Sequence, residues 1–390
     1  MNLALSDEQE FLREAARGAL SRVKTLEAAR EALDGNAELP DLWPIAREAG
    51  WPGLLIDDAH GGAGLDAFDA MLVLGEVGRV IASIPLLGHL VATAILSDSP
   101  AAESLLGELA TGQRRAAYLP ASPPNDLAEE WTVDPRAGPA RAPAPTAGRS
   151  STADGEARVT GELSFVPDAP GADVLVGVAL PAPTPEGLVG EPVGVSIEAN
   201  APGVQVTPVT RYDATRSLAH VTLSDAPATL LDCPVETLAS AWHLAQALIA
   251  AESVGSIETA LDVSVAYAKE RHTFGRAIGS YQAVKHSLTE VLRQMNNSQS
   301  LLYYAGWARG GAPSEFPLAA SAARSVAGRA LDQAARTMIS VHGGIGATWE
   351  HDAPLYFRRA QLSRRLLGGT AGATDRVAEE VMREAAAPAA

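Results

Sequence analysis

Residues 235–275 read VETLASAWHLAQALIAAESVGSIETALDVSVAYAKERHTFG. Within this stretch Leu244, Leu248, Ala251, Val254, Ile257, Leu261 and Val265 recur every three or four positions, which predicts one apolar face along a helix of about eight turns. The helical pattern continues downstream through YQAVKHSLTEVLRQMNNSQSLLYYAGWA, PLAASAARSVAGRALDQAARTMISVHG, PLYFRRAQLSRRLL and ATDRVAEEVMREAA. Consecutive long helices of this kind read as an antiparallel bundle.

Upstream the character changes. The runs ARVTGELSFV, ADVLVGVAL, VGVSIEA, GVQVTPV and SLAHVTL are bounded by Gly, Pro, Asp or Asn and read as strands of a small antiparallel sheet ending near Asp225. Before them, residues 120–157 are rich in Pro, Ala and Gly, cannot sustain a long helix, and read as an extended loop. Farther back, Ser6 and Gln9 stand at capping-box spacing ahead of EFLREAARGALSRV. DLWPIAREAGW, stopped by Gly50, FDAMLVLGEVGRVIAS, and the stretch from HLVATAIL to SLLGELATG complete an all-helical first module. The expected class is α+β, mostly α: a helical domain over 1–115, a β-sheet domain over 116–232 and a helical bundle over 233–390.

Composition narrows the function classes. The 390 residues carry 30 Lys and Arg against 47 Asp and Glu, a net charge of −17. That balance disfavours nucleic acid and anionic membrane surfaces as partners. Lysine occurs only at Lys24, Lys269 and Lys285, so local positive charge must come from arginine. Cys233 is the single cysteine and can form no intrachain disulfide, no residue pattern calls for a metal, and no apolar run approaches the length of a bilayer span. The acidic start MNLALSDEQEFL is unlike a secretory leader, so a cytoplasmic location is expected.

Three segments carry candidate chemistry: ERHTFGRAIGSYQAVKHSL at 270–288, SVHGGIGATWEHDAPLYFRRA at 340–360, and LLGGT at 366–370. Read alone, Arg271 caps its helix against the dipole, Phe274 is core, the Gly343–Gly344 pair makes a turn and Thr370 is an N-cap. Together, and in this order, the segments resemble the acyl-CoA dehydrogenase superfamily, with its R-x-T-F-G, Q-x-x-G-G-x-G and E-G-T segments. WPIAREAGWPGLLIDDAHGGAGL, EVGR, GELSFVPDAPGADVLVGVA and Asp213, Thr215 and Arg216 extend the resemblance over nearly the whole chain.

The resemblance implies an enzyme that binds FAD across a subunit interface and oxidises an acyl-CoA thioester. A base removes a proton beside the thioester carbonyl while hydride leaves the next carbon for the flavin. It implies that Arg271 meets the pyrophosphate with Thr273 and Phe274 beside the flavin, and that Gln282 lies near the adenine. Ser340 takes the place of the family's glutamine, His342, Gly343 and Gly344 form the phosphate-approaching loop, and Thr370 touches the cofactor. An electron-transfer flavoprotein is the implied acceptor.

The chain departs from the pattern at the base. The glutamate of E-G-T is Gly368 here, and the alternative glutamate, 29 residues before the phenylalanine of T-F-G, is Ala245. Glu252, two turns beyond Ala245, is the remaining candidate, and it also reads as a helix glutamate bonded to an arginine. Glu350 and His351 read as start-of-helix residues that hold the glycine loop. AAYLPASPPND and LSFVPD replace the segments that face the flavin ring in active members. These departures resemble a subgroup, the heteromeric α2β2 acyl-CoA dehydrogenases of actinobacterial steroid side-chain degradation. The expectation is a base-lacking subunit that lends FAD-binding residues to a second, base-bearing chain. A self-sufficient acyl-thioester dehydrogenase using Glu252, or a flavin-free scaffold of the same fold, are the alternatives.

Overall fold

The computed structural model describes residues 4–33, 39–120, 146–149, 156–181, 190–209 and 213–386. Among these, six helices precede the sheet: α1 (Asp7–Leu20), α2 (Thr25–Leu33), α3 (Trp43–Glu48), α4 (Ala67–Arg79), α5 (Leu86–Leu96) and α6 (Glu103–Ala110). The capping box at the start of α1 forms as its spacing predicts: the Gln9 N–H donates to the Ser6 hydroxyl at 3.2 Å and the Ser6 N–H donates to the Gln9 side chain at 3.1 Å. Asp66 and Asp69 cap α4 in the same reciprocal way. Helix α5 is buried over almost its whole surface, which its sequence LLGHLVATAIL, without a single formal charge, permits.

Seven described strands follow: β1 (Ala116–Leu119), β2 (Thr146–Arg149), β3 (Glu156–Pro167), β4 (Val174–Pro181), β5 (Val193–Glu198), β6 (Val204–Pro208) and β7 (Leu218–Leu231). The pairings β4–β5, β5–β7, β7–β3, β3–β2 and β2–β4 return on themselves, so the sheet closes around its own apolar core. It is not wholly antiparallel: β4 runs parallel to β1 and, at its far end, to β2. The chain between these strands is long enough for the crossover that parallel neighbours require. Strand β2 lies inside the stretch read as loop, most of which falls outside the described residues. Strand β7 also runs past the expected stop. Asp225 adopts φ 52° at an irregularity, its N–H donates to the Thr160 hydroxyl at 3.0 Å, and the strand resumes through Pro227.

The C-terminal bundle comprises α7 (Val235–Glu270), α8 (Gln282–Gly311), α9 (Phe316–His342), α10 (Ala353–Ser363) and α11 (Gly369–Ala386), with a small hairpin, β8 (His272–Thr273) and β9 (Arg276–Ala277), after α7. Helix α7 is the spine: it packs on α9, α8, α4, α5 and α10. Its approach to α4 is made by glycine. A Cβ on Gly255 would stand 1.8 Å from the Gly75 carbonyl oxygen, and one on Gly78 would stand 2.0 Å from that of Glu252. The Ser256 and Thr259 hydroxyls then donate to the carbonyls of Gly78 and Arg79 at 2.7 and 2.8 Å. This clamp fixes where Glu252 lies. Among the described residues no helix is long and apolar enough to cross a membrane.

Candidate functional site

The residues singled out by the sequence fall into two places on α7. At its C-terminal end, the Arg271 N–H donates to the Tyr267 carbonyl and the Arg271 carbonyl accepts from Ile278, each at 2.8 Å. Both bonds are made by the backbone. The Arg271 side chain is exposed and makes no hydrogen bond or ion pair among the described residues. The hairpin turns on Phe274 and Gly275, at φ 51° and 77°. Phe274 is 97% exposed, so it is not core: a two-residue turn in left-handed conformation throws its ring clear of the protein. Tyr281 braces the turn, its hydroxyl donating to the Thr273 carbonyl at 3.2 Å while the Arg276 guanidinium lies 4.0 Å over its ring. Gln282, exposed, opens α8 beside it.

The glycine loop stands at the same end. Tyr267 of α7 lies against His342, the last residue of α9, with ring centroids 4.3 Å apart. Ser340 is exposed on the last turn of α9. Gly343 follows at φ 64° and ψ −136°, a conformation that a side chain all but forbids. A Cβ on Gly343 or Gly344 would meet nothing within 4 Å, so the space above the loop is open to a ligand or another chain. His342 differs from its expected role: it is buried, and its Nδ1–H donates to the Met338 carbonyl at 2.7 Å. It therefore supports the loop from beneath.

The second place lies toward the other end of α7. Ala245 is fully buried, and its neighbour Gln246 donates from Nε2 to the carbonyl of Leu367, adjacent to Gly368, at 3.0 Å. The structure thus brings together the two positions where a base was sought, and neither holds a carboxylate. Leu367, Gly368 and Gly369 all have positive φ, of 52°, 78° and 68°. Thr370 is buried within the first turn of α11 and fits against Gly328 of α9, so it does not stand at an N-cap position. Counting 26 residues from Ala245 to Arg271 at 1.5 Å each separates the two places by about 39 Å. One chain therefore cannot gather all these residues around one small group.

Between them lies a buried charge cluster that the sequence revealed only in pieces. The Glu252 carboxylate is bonded to the Arg216 guanidinium and lies 3.9 Å from that of Arg359. Arg359 donates to Asp213 at 2.8 Å and to the Thr215 hydroxyl and carbonyl at 2.6 and 3.0 Å. Arg359 holds the Asp213 carboxyl below the usual carboxylate range against the opposing effect of burial. Two acids and two arginines leave this core neutral. Asp168 adds a fifth group: its carboxylate accepts the Gly88 N–H in the first turn of α5 at 2.9 Å, and burial pushes it up to about 6. Asp168, Arg216, Glu252 and Arg359 line a cavity of about 760 Å³ shared by all three parts of the chain. The signal for Asp168 in the sequence was slight, a turn-like Val-Pro-Asp where β3 ends. Phe165, from the LSFVPD segment that replaces a flavin-facing one, meets His220 edge to face at 4.9 Å.

An exposed, uncommitted arginine beside an open glycine loop fits a diphosphate, whose oxygens take a guanidinium fork and backbone N–H groups. The family models for the acyl-CoA dehydrogenase N-terminal and C-terminal domains match residues 6–121 and 237–382. Acyl-CoA dehydrogenase IpdE2 of Mycolicibacterium smegmatis is 30% identical over 366 residues, covering 93% of this chain and 96% of that protein. FadE34 of Mycobacterium tuberculosis is 32% identical over 95% of this chain, which spans 47% of that longer protein. Among solved structures, a variant of the Tcur3481-Tcur3483 steroid ACAD superposes with a TM-score of 0.84 at 26% identity, covering 98% of this chain and 99% of that one. The ChsE4-ChsE5 complex from Mycobacterium tuberculosis superposes with a TM-score of 0.83 at 23% identity over the full length of both chains, a likeness of fold. Helical domain, closed sheet, long-helix bundle and sequence relatives together make this chain a member of the acyl-CoA dehydrogenase family.

Proposed function

We propose that this chain is the base-lacking subunit of a two-chain, FAD-dependent acyl-CoA dehydrogenase whose substrate is a steroid-derived acyl-CoA. One observation carries the reading. The positions that should hold the base, Ala245 and Gly368, are brought together without a carboxylate, while the elements suited to a diphosphate stand exposed about 39 Å away. In this reading Arg271, Thr273, Phe274, Gln282, Ser340, Gly343 and Gly344 complete the FAD site of the base-bearing partner, with Thr370 on the side of the chain's own cleft. When bound, FAD accepts the hydride that leaves the acyl chain.

The chain's own residues supply binding and orientation. Arg271 neutralises phosphate charge that a chain at −17 otherwise repels. Gly343 and Gly344 let phosphate oxygens approach the backbone, and Phe274 covers an apolar part of the neighbour. Glu252 is bonded to the Arg216 guanidinium, so serving a substrate would require breaking a buried ion pair. The two-part name of the Tcur3481-Tcur3483 steroid ACAD supports both the pairing and the substrate class. An electron-transfer flavoprotein, as in the family, takes the electrons onward.

Co-expression with a base-bearing family member tests this. The reading expects a yellow complex that oxidises acyl-CoA, no dehydrogenation by this chain alone, and loss of FAD from the complex on Arg271→Ala. A yellow homo-oligomer that oxidises acyl-CoA by itself would reject it.

A further inference from the structure

Beneath the glycine loop three aromatic rings form one column. The Tyr267 ring lies 4.3 Å from that of His342, and the His351 ring lies 4.1 Å from His342 on a second contact. Each ring belongs to a different element: Tyr267 to the last turn of α7, four residues before Arg271; His342 to the end of α9; His351 to the approach to α10. The column therefore ties the hairpin that carries Arg271 to the loop that carries Gly343 and Gly344.

The hydrogen bonds fix what the Nδ1 atom of each histidine carries. His342 must carry its proton on Nδ1, because the Met338 carbonyl can only accept. His351 must have a bare Nδ1, because it accepts the Ala353 N–H at 3.0 Å and so caps the first turn of α10. A neutral His351 can do this and an imidazolium cannot. The groups facing His351 are His342 from α9, Arg30 from α2, and Asp352 on its own loop, itself bonded to Arg30. Burial, His342 and Arg30 hold His351 below the ordinary imidazole range, and Asp352 opposes them.

We propose that Tyr267, His342 and His351 are positioning residues for the cofactor diphosphate, and that protonation of His351 on acidification releases the glycine loop and loosens FAD. The claim about FAD rests on the shared-site reading above; the claim about the loop does not. At neutral pH His351 accepts the Ala353 N–H and the loop is fixed against the hairpin. As pH falls, charge on His351 removes the acceptor for Ala353 and faces Arg30 and the His342 ring.

The experiment has two readouts on the complex with its base-bearing partner: FAD retained after dialysis, read by released-flavin fluorescence, and hydrogen exchange of the Gly343–Gly346 amides, both from pH 8 to pH 5. For the wild type, the FAD dissociation constant should rise about tenfold over this range, the worth of one lost hydrogen bond near charge. Exchange of the loop amides, corrected for intrinsic pH dependence, should rise in step. His351→Asn keeps an acceptor for Ala353 but cannot titrate, so both pH steps should vanish whatever the affinity at pH 8. A His351→Asn complex that keeps the wild-type pH step, or a wild type with no step in amide exchange, overturns the proposal. If Arg271→Ala leaves FAD content unchanged, the shared site fails, and the amide-exchange step still judges the column.

Discussion

Asp168 offers the sharpest test of the buried charge cluster. Its carboxyl sits near 6 instead of the ordinary value of about 3.9, chiefly because burial penalises the charge. A group held this way favours the folded state most when protonated, so its contribution is complete below about pH 4 and is lost as pH rises through 6. The difference corresponds to about 3 kcal/mol. Asn at this position is neutral at every pH, still accepts the Gly88 N–H, and tolerates the φ of 63° that Asp168 adopts. Asp168→Asn should therefore be the more stable protein at pH 8, and its advantage should shrink to about a third, about 1 kcal/mol, at pH 4.5. With about 2.1 cal/mol/K of unfolding entropy per residue, 3 kcal/mol over a chain of 390 residues is a Tm gain of about 4 °C. Differential scanning calorimetry at the two pH values reads it. A variant that melts lower than the wild type at pH 8, or a gap that does not narrow at pH 4.5, would mean that Arg216 needs the Asp168 charge and that the reasoning is wrong.

Three further outcomes follow from other parts of the molecule. Gly343→Ala meets no steric contact but forces alanine into a glycine conformation, so it should cost about 1–3 kcal/mol in thermal unfolding; an unchanged Tm would remove the backbone argument. Arg359→Met leaves the buried Asp213 carboxylate without its guanidinium partner and should destabilise by about 3–5 kcal/mol in urea titration, where a surface arginine would lose less than about 1. Cys233 is half-buried and pushed up to about 11, so iodoacetamide at pH 8 should modify it at least about 100-fold more slowly than a free thiol; rapid labelling would contradict its setting.

Much of the architecture was legible because it rests on period and punctuation. The apolar steps along α7 gave the spine, and the Ser6–Gln9 spacing gave the start of α1. Strand β2 was not legible, since TAGR carries no alternation and pairs only through long-range register with β3 and β4. Asp225 looked like a stop because a bulge uses the same residues as a turn. At the site, motif order pointed to Arg271 and the glycine loop, and the counting that led to Ala245 and Gly368 ended at two positions that Gln246 and Leu367 join in space. What sequence spacing could not show was direction. Phe274 points outward and His342 inward, a difference set by the left-handed turn in one case and by the Met338 carbonyl in the other. The cluster of Asp168, Asp213, Arg216, Glu252 and Arg359 draws on residues up to 191 positions apart, from Asp168 to Arg359, and only the fold assembles it.

The most direct measurement is the count of FAD per chain in the complex purified with its base-bearing partner. A site shared between unlike chains, with no base at Ala245 or Gly368, predicts about one FAD for every two chains, and Arg271→Ala in this chain alone should empty it. One FAD for every chain, retained after that substitution, would contradict the account.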